Sequence, residues 1–135
     1  MRKLRFLLPW TVVLLVACVL VACGISHGPS VRLQSVTISP ATASSQGQFT
    51  ATGFYSDGSK VTPLPALWFP IQPWYVPPMN PVRQMEVDET GSAVCGAVPG
   101  TFAVVATAPV DPHLPLSKMD PNTPQVSGAA QLTCP

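Results

Sequence analysis

Short apolar runs alternate with turn residues over the last hundred or so residues, a pattern typical of β-strands. Residues 31–39 place apolar side chains at every second position, with one shift, and end at Pro40. Residues 101–108 are almost continuously apolar, as in a fully buried strand. Further strands are predicted at residues 48–55, 60–69, 84–88, 92–98 and 127–134.

Turn residues divide these runs. Asp57-Gly58 is a strong β-hairpin signal. Glu89-Thr90-Gly91 and Pro99-Gly100 are predicted turns as well. Pro63 and Pro65 interrupt the run at 60–69, which indicates an edge or broken strand. About seven strands, with a turn every 8–12 residues or so, predict an all-β fold with a single β-sandwich.

The first 22 residues have a different pattern. Three basic residues, Arg2, Lys3 and Arg5, precede a nearly unbroken apolar run at residues 6–22. This is the layout of a secretory signal peptide. The run also reaches the lower length limit of a membrane-spanning helix, so an uncleaved N-terminal anchor helix is the alternative.

Leu20-Val21-Ala22-Cys23 resembles the lipobox of bacterial lipoproteins. The resemblance implies cleavage just before Cys23 and acylation of that residue, including palmitate, which would anchor the chain in a membrane. Leu15-Val16-Ala17-Cys18 matches equally well. Cleavage at Cys23 is preferred, because it leaves an even pair of cysteines in the exported chain.

These features predict three parts. Residues 1–22 are a lipoprotein signal peptide, residues 23–30 a flexible tether rich in Gly and Ser, and residues 31–135 the β-sandwich domain. Gly24 rather than Asp follows Cys23. In an organism with two membranes, the lipoprotein resemblance then implies the outer membrane, and a cell-envelope location in any case.

Composition supports a β-rich fold and excludes one class of partner. The chain has 17 prolines, 47% hydrophobic residues and only 10% charged residues, which disfavours both long helices and plain disorder. From Cys23 onward there are four Lys and Arg against six Asp and Glu. Nucleic acid is therefore excluded as a predicted partner, because phosphate binding needs clustered basic side chains.

Several stretches resemble the bacterial immunoglobulin-like domains of group 2. They are SVTISPATASSQGQFTATGFYSDGS at 35–59, Trp68, VDETGSAVCGAVPGTFAVVATA at 87–108, and GAAQLTC at the end. The resemblance covers most of residues 31–134. It implies an Ig-like sandwich with Trp68 in the core, and it says little about function, because this fold serves as a generic spacer and adhesive module.

The stretch WFPIQPWYVPPMNPV at 68–82 departs from that family pattern. Its prolines predict a polyproline-like segment rather than a strand. One interpretation is a rigid loop that covers an open end of the sandwich. The other is an exposed binding surface over residues 69–82, built on Phe69, Trp74 and Tyr75, since aromatic side chains dominate interface energetics.

Cys95 and Cys134 both lie on predicted strands, and the exported compartment is oxidising. We predict a disulfide between them that pins the last strand to the sheet. The alternatives are a metal pair or a catalytic thiol, but zinc needs further Cys or His ligands, and neither cysteine has one nearby in sequence.

No enzyme motif is recognisable, and no catalytic residue, metal or cofactor is predicted. His27 lies in the tether, and His113 lies in a Pro-rich loop with Asp111 and Asp120. A small envelope metal protein or enzyme built on that loop is the less favoured alternative.

The sequence thus predicts a lipid-anchored, non-catalytic envelope protein with a structural, adhesion-like or accessory binding role. Its partners would be the membrane and an envelope protein or glycan. A carbohydrate-binding module that uses Trp74 and Tyr75 is the main alternative.

Overall fold

A computed structural model describes residues 30–71 and 85–135 of the chain. Val31–Pro135 forms one compact unit. The described residues contain ten strands and one short 3-10 helix. The strands are β1 Leu33–Ser39, β2 Thr42–Ser44, β3 Gln46–Gln48, β4 Thr50–Tyr55, β5 Lys60–Val61, β6 Leu67–Ile71, β7 Met85–Val87, β8 Ser92–Cys95, β9 Gly100–Pro109 and β10 Gln125–Cys134, and the 3-10 helix is Leu116–Lys118.

Two hydrogen-bonded sheets make up the fold. One has three strands in the order β1-β4-β5, and the other has seven in the order β6-β9-β10-β2-β3-β8-β7. β2 and β10 run parallel, and the other described pairs are antiparallel. The all-β sandwich predicted from the strand spacing is confirmed.

The strand order is that of an immunoglobulin-like sandwich. β3 and β4 are one run interrupted at Phe49, with β8 paired to its first half and β1 to its second. This produces the order β1, β3/β4, β8, β7 in one layer, which matches strands A, B, E and D of the Ig fold. The other layer, β6-β9-β10, matches C, F and G, and β2 adds to it beside β10. The seven strands of the Ig fold therefore correspond to eight of the ten described strands, because one of the seven is divided into β3 and β4.

The chain changes layers at Ser45, between β2 and β3. Its backbone N–H donates to the carbonyl of Thr133 on β10 at 2.9 Å, and its carbonyl accepts from the N–H of Cys95 on β8 at 3.0 Å. Ser45 has φ of 64°, in the left-handed region that non-glycine residues rarely adopt. The three segments meet at this one residue, which joins the two layers at the edge of the sandwich.

The predicted disulfide lies beside this point. Cys95 on β8 and Cys134 on β10 are bonded, with their Cα atoms 5.6 Å apart. It links the two layers through β8 and β10, whereas antibody domains link strands B and F. The predicted disulfide is confirmed, and the structure adds that it pins the last strand to the opposite layer.

The core fills the space between the layers. Its largest fully buried side chains are Phe49, Met85, Leu132 and Val104. Almost every residue of β9 from Phe102 onward is buried, which confirms the buried strand predicted at residues 101–108. Trp68 is half-buried and packs against this core, in line with the core tryptophan that the Ig-like resemblance implies.

The strand at 60–69 is broken, as its prolines predicted, into β5 and β6. The predicted polyproline-like stretch, however, is wrong at its start, because β6 includes Phe69, Pro70 and Ile71. β6 pairs only with β9 among the described strands. A proline is tolerated there because one side of an edge strand needs no backbone donor.

The predicted hairpin at Asp57-Gly58 is confirmed. Gly58 has φ of 83°, and its N–H donates to the Tyr55 carbonyl at 3.0 Å. The Asp57 carboxylate accepts bonds from the backbone N–H and the hydroxyl of Ser59, at 2.9 and 2.6 Å. The Ser59 hydroxyl, followed by its N–H, lowers the pKa of Asp57 below its ordinary value.

Asp88 organises the β7–β8 turn in the same way. Its carboxylate accepts from the hydroxyl and N–H of Thr90 at 2.7 and 2.8 Å, and from the N–H of Ser92 at 3.0 Å. The Thr90 hydroxyl contributes most to lowering the pKa of Asp88 from its ordinary value of 3.8, and the N–H of Ser92 follows. Hydrogen bonds to the charged form account for the direction of the shift.

We expect Asp88→Asn to flatten the acid dependence of folding stability. Because the pKa of Asp88 is lower in the folded chain, its carboxylate stabilises the fold above about pH 4, and the contribution is lost as pH falls through the folded-state pKa. Urea unfolding of both proteins between about pH 2 and pH 7 should show a difference in unfolding free energy at neutral pH that closes at low pH.

Glu89→Gln is the matched control. Glu89 is the next residue, it is exposed, and no hydrogen bond to its carboxylate is recorded within the described residues. Its removal should leave the pH dependence unchanged. A difference between wild type and Asp88→Asn that stays constant across the pH range would refute the role assigned to the carboxylate.

Within residues 30–71 and 85–135, there is no helix of the length and hydropathy needed to cross a membrane.

Candidate functional site

Three large apolar side chains form a stripe along β6, which is the last strand of its sheet among the described strands. Leu67, Phe69 and Ile71 are 43%, 40% and 55% exposed, whereas the residues between them, Trp68 and Pro70, are half-buried. Strand alternation explains this, because successive side chains point to opposite faces. Trp68 and Pro70 face the sandwich interior, and the β6 stripe (Leu67, Phe69 and Ile71) faces outward.

The β6 stripe belongs to a wider outward face of the layer β6-β9-β10. Residues directly opposite one another in an antiparallel pair share a face of the sheet. Phe69 pairs with Val105, which pairs with Ala129. By the same registers, the outward side of the layer carries Leu67, Phe69, Ile71, Thr101, Ala103, Val105, Thr107, Pro109, Gln125, Ser127, Ala129, Gln131 and Thr133. Val105 and Thr107 on the middle strand are nevertheless buried, with 5% and 3% of their surface exposed, so the accessible part of this side lies on β6 and β10.

None of these outward positions on the described strands carries a charge. The hydroxyls of Thr107 and Ser127, on neighbouring strands of this face, form a hydrogen bond with each other, because Thr107 Oγ1 and Ser127 Oγ are 2.7 Å apart. Thr101 and Thr133 form a longer hydroxyl contact of 3.3 Å near one end. Covering such a face requires no charge to be desolvated and leaves the paired hydroxyls satisfied.

A separate cleft of about 390 Å³ opens on the inner side of β6, beside Trp68. Its polar groups come from Glu89, Thr90 and Thr50, and its apolar wall includes Phe49 and Leu64. Gly91 lies against the Trp68 ring, since a Cβ at this position would meet ring atom Cζ2 at 2.9 Å. The close approach of this glycine holds the tryptophan at the cleft and requires the absence of a side chain.

Only part of the predicted binding surface lies within the described residues. Phe69 is exposed, as that surface requires. Trp74 and Tyr75, and residues 72–82 generally, lie outside the described residues. The predicted lipidation site Cys23, and its alternative Cys18, lie outside them as well.

Leu67 and Ile71 are members of the outward face that the sequence did not single out. The segment Leu-Trp-Phe-Pro-Ile is apolar at every position, so its hydrophobic pattern assigns no face. The feature that distinguishes them is the small size of the residues that they pair with on the neighbouring strand. Ala103 and Thr107 on β9 pair with Ile71 and Leu67, and they become visible only once the register is known.

The Pro-rich loop with His113 has its carboxylates engaged in its own turns. Asp111 accepts the backbone N–H of His113 at 2.9 Å, and Asp120 accepts that of Asn122 at 2.8 Å. Across the described ranges, no three His, Cys, Asp or Glu residues lie close enough together to hold a metal ion. The Cys95 thiol is consumed in the disulfide, which removes it as a metal ligand or nucleophile in this structure.

No protein-family model matches this chain, and a search of curated protein sequences likewise produced no match.

Proposed function

We propose that this chain is a lipid-anchored, non-catalytic envelope protein whose sandwich presents a binding face. The observation that carries the proposal is the half-exposed β6 stripe, three large apolar side chains on a side of the sheet that carries no charge on its described strands. A patch of apolar residues on a soluble surface marks an interaction site when it is contiguous. The role would be structural, adhesion-like or accessory, with an envelope protein or glycan as partner.

The anchor part of the proposal is supported by sequence. Leu20-Val21-Ala22-Cys23 has the lipobox pattern, and cleavage before Cys23 leaves Cys95 and Cys134 as the even pair that the disulfide uses. Two or three acyl chains on one cysteine anchor a protein stably, whereas a single chain binds only marginally.

Mass spectrometry of the intact protein tests the anchor. The full chain is expressed in a bacterium with the lipoprotein pathway, extracted from membranes and analysed without reductant. We expect a chain that begins at Cys23, carries added acyl mass, and is about two mass units light because of the disulfide. A full-length chain without acyl groups would contradict the anchor.

Two variants determine which of the two lipobox-like cysteines, Cys18 or Cys23, is acylated. Cys23→Ala should abolish incorporation of radiolabelled palmitate, because the acylated thiol is gone, and should leave the apolar run at residues 6–22 uncleaved. Cys18→Ala is the matched control, since it changes the same tetrapeptide five residues earlier, and it should leave labelling intact. Loss of labelling in Cys18→Ala alone would move the anchor to that residue.

Carbohydrate binding is the second candidate, and the cleft beside Trp68 favours it. The lining of the cleft combines Trp68 with the polar residues Glu89 and Thr50, a composition that suits stacking together with hydrogen bonding. Glycan-array binding that is lost in Trp74→Ala would support the predicted aromatic platform. Binding that is lost in Glu89→Gln but retained in Trp74→Ala would instead assign the glycan to the cleft.

A further inference from the structure

The cleft beside Trp68 contains polar groups that the fold itself leaves without partners. In the part of the chain that the structure describes, the Trp68 indole N–H, the Thr50 hydroxyl and the Glu89 carboxylate form no hydrogen bond or ion pair. The apolar wall around them includes Leu64 and Leu116. A cleft that is mostly apolar and holds a few unused polar groups has the usual composition of a ligand site.

The charge of the cleft is negative. Glu89 is the charged residue among those that line it, and Glu86 and Asp88 on the same β7–β8 hairpin bring the total to three carboxylates within four residues. The described basic residues lie outside the lining, and they are Arg32, Lys60 and Lys118. Walls of low dielectric concentrate a field of one sign, so the cleft attracts a positive group.

We propose that this cleft binds a lysine or arginine side chain of a partner protein. Such a side chain has an apolar stem that suits the wall at Leu64 and a positive head that pairs with Glu89. The Trp68 ring strengthens the pairing, because a cation is attracted to the face of an indole ring. The cleft lies on the inner side of β6, so the inference stands apart from the β6 stripe and from the lipid anchor.

The groups of the cleft favour a polypeptide over two simpler ligands. Ammonium and guanidinium groups only donate hydrogen bonds, so a free amine cannot accept one from the Trp68 indole N–H. A backbone carbonyl beside the bound basic residue can accept it. A neutral sugar could use the indole N–H and the Thr50 hydroxyl, but it would leave the Glu89 carboxylate without an opposite charge. A basic residue within a peptide supplies both the cation and the acceptor.

The aromatic wall of the cleft is in place before a ligand arrives. Gly91 has φ of 82°, and a Cβ at this residue would lie 2.5 Å from the Phe49 carbonyl oxygen and 2.9 Å from Trp68 Cζ2. The indole ring therefore packs closely against the backbone of the β7–β8 turn. Because a pre-ordered wall loses little conformational freedom on binding, even a small cleft of this kind can hold a side chain.

An NMR titration of the full chain, extracted from membranes in a nonionic detergent, tests the site. The probe is Nα-acetyl-lysine methylamide, and the readout is the indole N–H signal that Trp68→Phe removes. We expect a dissociation constant on the order of 1 mM, as for a ligand of about 14 heavy atoms. The norleucine methylamide, which has the same stem without the ammonium group, should bind about fivefold more weakly. An arginine probe that binds more tightly than the lysine probe would identify guanidinium as the preferred head.

Two charge-neutralising variants locate the cation. Glu89→Gln should weaken binding of the lysine probe about fivefold and leave binding of the norleucine probe unchanged, because it removes the charge and keeps the size of the side chain. Glu86→Gln is the matched control. It removes the same charge from the same hairpin, but Glu86 does not line the cleft, so the affinity for the lysine probe should change by less than about twofold.

Three outcomes would overturn the proposal. Equal affinity for the lysine and norleucine probes would mean that the cleft recognises only an apolar stem. Equal weakening by Glu89→Gln and Glu86→Gln would mean that the general negative charge of the hairpin attracts the probe. A Trp68 signal that responds to methyl glucoside and not to the lysine probe would assign the cleft to a glycan. None of these outcomes bears on the acyl anchor, which palmitate labelling tests separately.

Discussion

Removal of the Cys95–Cys134 disulfide should lower the free energy of unfolding by about 4 kcal/mol. The bond closes a loop with a sequence separation of 39 residues, and the chain-entropy relation for a loop of that length gives this magnitude. The loss is a large fraction of the 5–15 kcal/mol or so that a typical domain possesses. It should be measured by urea unfolding of Cys95→Ala/Cys134→Ala against wild type.

The bond's place in the fold indicates where the weakened protein opens first. Cys95 and Cys134 flank the point where Ser45 holds β8 and β10 together through two backbone hydrogen bonds. Without the bond, only short pairings join the layers along this edge, including the single described β2–β3 pair Ser44–Gln46. Hydrogen exchange at the Ser45 and Cys95 amides should therefore accelerate more than exchange in the centre of β9.

Reductant supplies the control within one experiment. It should destabilise wild type to the level of the double alanine variant and have no effect on the variant itself. Equal stability of oxidised wild type and the double variant would mean that the bond contributes nothing. A reductant effect on both proteins would point to a cause other than Cys95 and Cys134.

Gly128→Ala should destabilise the fold by about 1–3 kcal/mol or more, although it adds a single methyl group to a strand. A Cβ at this position would lie 2.5 Å from the carbonyl oxygen of Val36 and 3.0 Å from its carbonyl carbon. Both are backbone atoms of β1, so no side chain can rotate away. β1 would have to move off β10, with loss of packing between Val36 and the core.

Ala129→Ser is the matched control for this prediction. It also adds one heavy atom to β10, but at an exposed outward position. Substitutions of that kind usually change stability by less than about 0.5 kcal/mol. Thermal or urea unfolding of the two variants should separate them clearly. Equal stability of Gly128→Ala and wild type would show that β1 does not approach β10 as closely as described.

Much of the fold follows from local pattern. The nearly unbroken apolar run at 101–108 predicts the buried strand β9, and Asp57-Gly58 predicts its hairpin, because each depends on the chemistry of a few adjacent residues. The turn at Glu89-Thr90-Gly91 is likewise local, with Gly91 at φ of 82°. Sequence also predicted the disulfide, since only two cysteines follow Cys23.

Local sequence pattern does not predict the strand boundaries near residue 45. Ser44 and Ser45 carry no breaking signal as strong as Gly or Pro, yet the chain leaves β10 there and joins β8. The pairing partners lie about 50 and 90 residues away in sequence, so their influence is absent from any local window. For the same reason, the role of Gly128 becomes visible only when β1 is placed over it.

For the candidate site, sequence alone determined that Phe69 belongs to an aromatic, Pro-rich segment and that the N-terminal run carries tandem lipobox-like cysteines. The tertiary structure decided which side chains of Leu-Trp-Phe-Pro-Ile face outward, and it set the β6 stripe beside Ala103, Val105 and Thr107 of β9. The physical reason is that a uniformly apolar run has no alternation of apolar and polar residues from which its buried and exposed faces could be assigned. Its faces are defined by register with strands more than thirty residues away, and register is a property of the assembled sheet.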